Sequence, residues 1–235
     1  MKHTKGLAVV LLVLLSMWVP VAPIDAQAQE PPTIQIPQPG VPEILTIEGK
    51  FIRVAYNNEG YVILGYQAAD RSVGEEWMLL EIGVTLRKGV ADYKLTRDAL
   101  SLDTPDGKTL PLPSSIEMRA GSTQAVQNRA KVHHDTINYF PPGATAACRI
   151  GFFSDLSSPA MAYDEVEISS NLACLGRLYF HVPGGIQYGQ HWLNLKFEKT
   201  LIRVPFRILT AEEEKLLSKN FKAISKQVED AFKKK

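Results

Sequence analysis

Residues 77–87, WMLLEIGVTLR, carry the pattern that decides the fold. A large apolar side chain stands at every second position, from Met78 to Leu86. The alternate positions hold Leu79, a carboxylate, a glycine, a threonine and an arginine. A period of two is typical of a strand with one face in the core and the other towards solvent. The sequence therefore predicts a half-buried strand here.

The same alternation recurs towards the C-terminal end, in residues 178–182, 193–197 and 202–208. Further strands are predicted at 46–56, 61–69, 99–103, 108–112 and 147–153. The turn sequences NNEG (57–60), PDGK (105–108) and PGG (183–185) stand where hairpin connections are expected. Many short strands without alternating long helices predict an all-β, antiparallel β-sandwich over residues 44–209.

Composition limits the classes of function. The 235 residues are 45% hydrophobic and 22% charged, with a formal net charge of +1. This balance is that of a globular protein, and it excludes collagen-like and polytopic membrane classes. A chain so close to neutral lacks the basic footprint of a nucleic-acid-binding protein, so no nucleic acid is expected as a partner.

The first 28 residues have the pattern of an export signal. A basic start is followed by an apolar run from Leu7 to Val19, and the small residues of Ala26-Gln27-Ala28 fit a cleavage site. The apolar run is shorter than the ~20 residues that span a bilayer, although an uncleaved anchor stays an alternative. Residues 29–43 contain five prolines and are interpreted as an extended linker. Export places Cys148 and Cys174 in an oxidising compartment, which predicts a disulfide between them.

Two segments depart from the strand pattern. Residues 114–146 are polar and weakly patterned, and we interpret them as a long insertion with a short helix at 123–132. Residues 210–235 predict an amphipathic helix, because Thr210 and Glu213 form a capping box and apolar residues recur at spacings of three and four. This helix can pack on the sandwich, pair with another helix or lie on a membrane surface. Its small net charge favours the first two, so membrane contact is expected to be weak or absent.

Three segments resemble a known family. They are residues 75–86 (EEWMLLEIGVTL), 95–108 (LTRDALSLDTPDGK) and 176–183 (GRLYFHVP). They are similar to the central strand, the strand with its Asp-Gly turn and the late strand of secreted telokin-like, immunoglobulin-like bacterial domains of unknown function. The resemblance covers residues 44–113 and 175–208. It implies an immunoglobulin-like sandwich outside the cytoplasm that binds something, and it supplies no catalytic residues.

The strongest candidates for metal chemistry are His133, His134 and Asp135. Adjacent histidines diverge on a helix and face opposite ways on a strand, so the two are poor co-ligands. A metal-binding or hydrolytic protein that uses these residues is retained as an alternative, while no cofactor is expected. The sequence places His181 on an outward strand face and His191 in a turn. No nucleophile stands at a recognisable spacing from a base, so a non-catalytic protein is favoured.

The remaining candidates are binding residues. If the last strands pair in sequence order, one sheet surface collects seven polar or aromatic side chains: Tyr179, His181, Trp192, Asn194, Lys196, Arg203 and Arg207. Tyrosine, tryptophan and arginine are the residues that anchor protein interfaces. The alternatives are that the C-terminal helix covers this face, or that these are scattered surface residues. Tyr139 and Trp192, as exposed aromatics, also allow a carbohydrate-binding module. The sequence thus favours an exported interaction module with a protein partner, bound through this face or the C-terminal helix.

Overall fold

The structure is a computed structural model that describes residues 44–154 and 161–233. The predicted signal peptide (1–28) and linker (29–43) lie outside the described residues, and so do the last two lysines of the tail.

Strands make up most of the regular structure in the described residues. The strands are β1 (Ile44–Gly49), β2 (Ile52–Tyr56), β3 (Gly60–Gly65), β4 (Trp77–Leu86), β5 (Tyr93–Thr96), β6 (Leu100–Asp103), β7 (Thr109–Pro111), β8 (Ala146–Ile150), β9 (Glu165–Ile168), β10 (Leu172–His181), β11 (Gly189–Lys196) and β12 (Leu201–Ile208). The helices are α1 (Gln67–Asp70), α2 (Ser115–Ala120), α3 (Gln124–Val132) and α4 (Ala211–Lys233). The chain is therefore mainly β, with a C-terminal helix, as predicted.

The strands form two large sheets. One has six strands in the order β1-β2-β3-β4-β10-β8, and the other has four in the order β12-β11-β6-β7, while β5 and β9 form a separate pair. Strand β12 packs on β2 and β3, and the rings of Tyr66 and Phe206 meet between the two sheets at 5.2 Å. One pairing departs from the predicted antiparallel arrangement, because β8 runs parallel to β10.

The predicted alternation holds in the four-stranded sheet. On β11, Leu193 and Leu195 are fully buried, whereas Lys196 is exposed and Trp192 partly exposed. His191 shares the buried face, so its predicted position in a turn is wrong. Its ring stacks on Phe206 with the ring centroids 5.3 Å apart.

The prediction that β4 is half-buried is wrong, because both of its faces are covered. The insertion lies over the outer face of the six-stranded sheet. Its residue Phe140 approaches Gly83 so closely that a Cβ built there would lie 2.9 Å from the Phe140 ring. At Gly65, a Cβ would lie 2.7 Å from the Cβ of Asp135. These two glycines leave the space in which residues 135–140 cross the sheet.

The expected hairpins form at two of the three turns. NNEG joins β2 to β3 and PDGK joins β6 to β7. The third turn, at Gly184 and Gly185, joins strands of different sheets, so no hairpin forms there. Both glycines have a positive φ (88° and 89°), and a Cβ built at Gly185 would lie 2.7 Å from the Gly74 carbonyl oxygen. That close approach requires glycine and directs the chain from one sheet to the other.

Helix α4 packs along β1. The capping box predicted at Thr210 and Glu213 forms, with the Thr210 amide donating to the Glu213 carboxylate at 2.9 Å. The Ser225 hydroxyl donates to the Ile47 carbonyl, and Val228 and Phe232 are buried. Of the three positions considered for this helix, the structure shows the packed one. None of the described helices is both long and apolar enough to cross a membrane.

Candidate functional site

Cys148 and Cys174 form the disulfide that the sequence predicted. They stand directly opposite each other on the parallel strands β8 and β10. The bond closes a segment of 26 residues and ties the edge strand β8 to the sheet. A disulfide of this kind is typical of proteins that fold in an oxidising compartment.

The metal candidates His133, His134 and Asp135 follow the end of α3, and they do not converge on one point. The Asp135 carboxylate accepts a hydrogen bond from the Gln67 amide at 2.8 Å, and the Asp135 amide donates to Glu81 at 2.6 Å. His134 is exposed to solvent. Among the described residues, no three histidine, cysteine or carboxylate side chains are placed to hold a metal ion. The metal-binding alternative therefore stays a prediction without support from the geometry.

Asp135 and Glu81 instead fasten the insertion to the sheet. Burial raises the pKa of Asp135 to about 6, and the nearby Glu81 carboxylate contributes to that rise. Burial also raises the pKa of Glu81, although Arg177, 3.7 Å away, opposes that rise. Two partly buried carboxylates thus fasten the start of residues 135–140 to the sheet: Asp135 accepts from the Gln67 amide, and Glu81 accepts from the Asp135 amide.

The predicted shared binding surface required the last strands to pair in sequence order. They do not, because β10 and β11 lie in different sheets. Tyr179 points to the outer face of the six-stranded sheet, where the segment after β8 covers it. Its side chain is fully buried, and its ring meets the Phe153 ring edge-on at 5.3 Å. Tyr179 is therefore part of the interior and not an exposed binding residue.

Of the other predicted residues, His181 lies on β10 of the six-stranded sheet, and the rest lie on an outer face of the four-stranded sheet, which we call the Trp192 face. It includes outward side chains of β6, β11 and β12: Ser101, Asp103, Trp192, Asn194, Lys196, Leu201, Arg203 and Arg207. Asn194 is buried beneath its neighbours on this face. The Arg203 guanidinium lies over the Trp192 ring at 4.8 Å. It also donates to Asp103 at 2.8 Å and to Asn194 at 3.1 Å. Three partners thus fix the position of one arginine.

Asp103 and Arg207 on the Trp192 face each have an oppositely charged partner. Burial alone would raise the pKa of Asp103, but hydrogen bonds from Thr109, Asn194 and Arg203 hold it below its usual value. Arg207, at the end of the same strand, pairs with Glu213 of the capping box at 2.7 Å. These ion pairs therefore balance the charges of the partly buried side chains on this face.

The aromatic residues proposed for sugar binding do not form one platform. Tyr139 belongs to the insertion over the six-stranded sheet, and 39% of it is exposed. Trp192 lies on the outer face of the other sheet, and Arg203 already occupies the space over its ring. A sugar ring would have to displace that arginine, so the carbohydrate alternative gains no support from the geometry.

The structure also contains a cleft that the sequence did not predict. It lies where β4 begins and β10 ends, beside the loop between α2 and α3, and has a volume of about 740 Å³. We call it the Trp77 cleft. Trp77 and His181 are cross-strand neighbours with ring centroids 5.1 Å apart. Gly121 packs flat on the indole, since a Cβ there would lie 2.3 Å from the Trp77 ring. The only sequence signal was the run Glu75-Glu76-Trp77, because the other lining residues come from distant segments.

Comparison of the chain with family models, with curated proteins and with solved structures found no match. The class of protein is therefore defined by the structure itself: a mainly β, disulfide-bonded protein with two candidate binding regions on opposite outer faces.

Proposed function

We propose that the protein is an exported, non-catalytic, immunoglobulin-like module that binds a protein partner through the Trp192 face. The disulfide between Cys148 and Cys174 supports export, because such bonds persist in oxidising compartments. The packing of two largely antiparallel sheets supports an immunoglobulin-like sandwich.

The observation that carries the proposal is the arrangement of Arg203 over Trp192. Both side chains remain accessible to solvent, and the Arg203 side chain is 40% exposed. Asp103 and Asn194 hold the guanidinium in place before any partner arrives, so little conformational entropy is lost when it binds. Tryptophan and arginine are also the residues whose truncation most often weakens protein complexes by about 2 kcal/mol or more.

The C-terminal helix leaves Trp192 and Arg203 accessible. Helix α4 packs on β1 of the other sheet, and its first turn contacts the Trp192 face at Arg207, which pairs with Glu213. Leu201, next to Arg203, is 43% exposed. The alternative that the helix covers these residues is therefore less well supported than the interface.

The experiment is chemical crosslinking and capture from the exported fraction with the wild-type protein, Trp192→Ala and Arg203→Ala. Val132→Ala is the matched control, because Val132 is an apolar residue that is 74% exposed on the insertion. We expect wild type and control to capture the same partner, and both face variants to lose it at an unchanged unfolding midpoint. Equal capture by all four folded proteins would contradict the proposal.

A further inference from the structure

The Trp77 cleft differs in charge from the rest of the molecule. The whole chain carries 26 basic and 25 acidic residues. The described residues that line the cleft include the carboxylates of Glu75, Glu76 and Glu117 but no lysine or arginine. Acidic side chains therefore outnumber basic ones in the lining of the cleft, although Arg129 of α3 pairs with Glu75.

The three carboxylates differ in the hydrogen-bond and ion-pair partners that they already have. Glu75 is bound by Arg129 of α3. Glu117 completes the capping box of α2, where its carboxylate accepts from the Ser114 amide at 2.7 Å. The Glu76 side chain is 64% exposed, and its carboxylate lies 3.8 Å from Nε2 of His181. Of the three, Glu76 is the carboxylate best placed to receive a new cation.

The other walls suit an apolar stem. Pro113, Ala120 and Ala125 line the cleft together with the rings of Trp77 and His181. Lysine and arginine bury their methylene stems on apolar surfaces while the charged head stays in a polar environment. The volume of about 740 Å³ is ample for such a side chain and its flanking backbone.

We propose that the Trp77 cleft binds a lysine or arginine side chain presented by a protein partner. The stem lies against Trp77 and the alanines, and the cationic head lies between Glu76 and Glu117. The cleft is on the outer face of the six-stranded sheet, so this site is separate from the Trp192 face and does not depend on it.

The test uses nuclear magnetic resonance of the ¹⁵N-labelled protein. The probes are N-acetyl-arginine amide and N-acetyl-lysine amide, with N-acetyl-norleucine amide as the neutral analogue. The readout is the indole N–H signal of Trp77, assigned with Trp18→Phe and Trp192→Phe variants. Glu76→Gln removes the proposed partner charge, and Glu48→Gln is the control because Glu48 is exposed on β1, outside the cleft.

We expect both cationic probes to shift the Trp77 signal saturably, and the neutral analogue to leave it unchanged. Glu76→Gln should weaken binding by about threefold to fivefold, as for a partly exposed ion pair, and added salt should weaken it further. The Glu48→Gln control should bind like the wild type. Equal shifts with the neutral analogue, or equal affinities in wild type and Glu76→Gln, would overturn the proposal. So would a Trp77 signal that depends on protein concentration alone, because the occupant would then be a second copy.

Discussion

The sharpest prediction concerns His191, a histidine sealed inside the core. Its side chain is fully buried between the sheets. Nδ1 lies 3.1 Å from the Gly189 carbonyl, which can only accept, so Nδ1 carries the proton. Nε2 has no hydrogen-bond partner among the described residues. Burial lowers the pKa of His191 from 6.5 to about 4, although the Gly189 carbonyl and the charge of Asp106 oppose the change.

The sign and size of the pH effect follow from this shift. Between pH 6.5 and pH 4 the unfolded chain binds a proton at His191 and the folded chain does not. The free energy of unfolding therefore rises with pH in this window: the contribution is complete above pH 6.5 and is lost as the pH falls towards 4. A shift of about 2.5 pH units at about 1.36 kcal/mol per unit corresponds to about 3 kcal/mol.

The perturbation is His191→Phe, which keeps a ring stacked on Phe206 and removes the titrating group. The assay is urea denaturation of wild type and variant at intervals from pH 7.5 to pH 4. We expect the variant to gain about 3 kcal/mol relative to the wild type as the pH falls across that range. Asp106, the charged neighbour, has its pKa lowered to about 2 by hydrogen bonds from Lys108 and Thr104, so it stays ionised throughout. The reasoning fails if the difference between the two proteins is independent of pH, because His191 would then be protonated or hydrated in the folded state.

Three further predictions use the same denaturation assay. Asp135→Asn should gain stability relative to wild type as the pH rises from 4 to 7, because a folded pKa raised to about 6 makes the wild type lose stability over that interval. A difference that does not change with pH would contradict the desolvation of this carboxylate. Gly176→Ala should lose about 1–3 kcal/mol, since its Cβ would lie 2.5 Å from the Ile150 carbonyl, whereas Gly143→Ala, with its nearest atom at 3.9 Å, should be nearly neutral; equal losses would refute the steric argument. Replacing both Cys148 and Cys174 by serine should lower the free energy of unfolding by roughly 3–4 kcal/mol, because the unfolded chain regains the conformational entropy that the disulfide removes. An unchanged denaturation midpoint would contradict this entropic contribution.

The four-stranded sheet was predictable from the sequence because only one of its faces meets the core. Leu193, Ile202 and Val204 are buried and the residues between them face outward, as the alternation indicates. The capping box of α4 was predictable for a similar reason, since Thr210 and Glu213 act on their own helix. Both features depend on residues that are close in sequence, so the sequence pattern is sufficient to predict them.

What the sequence could not show depends on contacts between distant segments. The outer face of β4 offers Leu79, Gly83 and Thr85, a mixture that fits a solvated face as well as a covered one. The cover of this face comes from residues far along the chain, such as Phe140, which is 57 residues beyond Gly83. The burial of Tyr179 has the same origin, because its cover is Phe153 from the segment after β8.

The connection between β10 and β11 separates residues that the sequence pattern had placed on one surface. Had β10 and β11 formed a hairpin, His181 and Trp192 would lie on one face and a single partner could contact both. The glycine turn at 184–185 instead carries the chain across the core, so β10 enters the six-stranded sheet and β11 the four-stranded one. Each residue then meets different neighbours: His181 faces the carboxylates of the Trp77 cleft, and Trp192 lies under Arg203. Because both sheets separate the two regions, a partner that occupies one leaves the other accessible. If both sites bind as we propose, the protein bridges two partners, which a single face could not do.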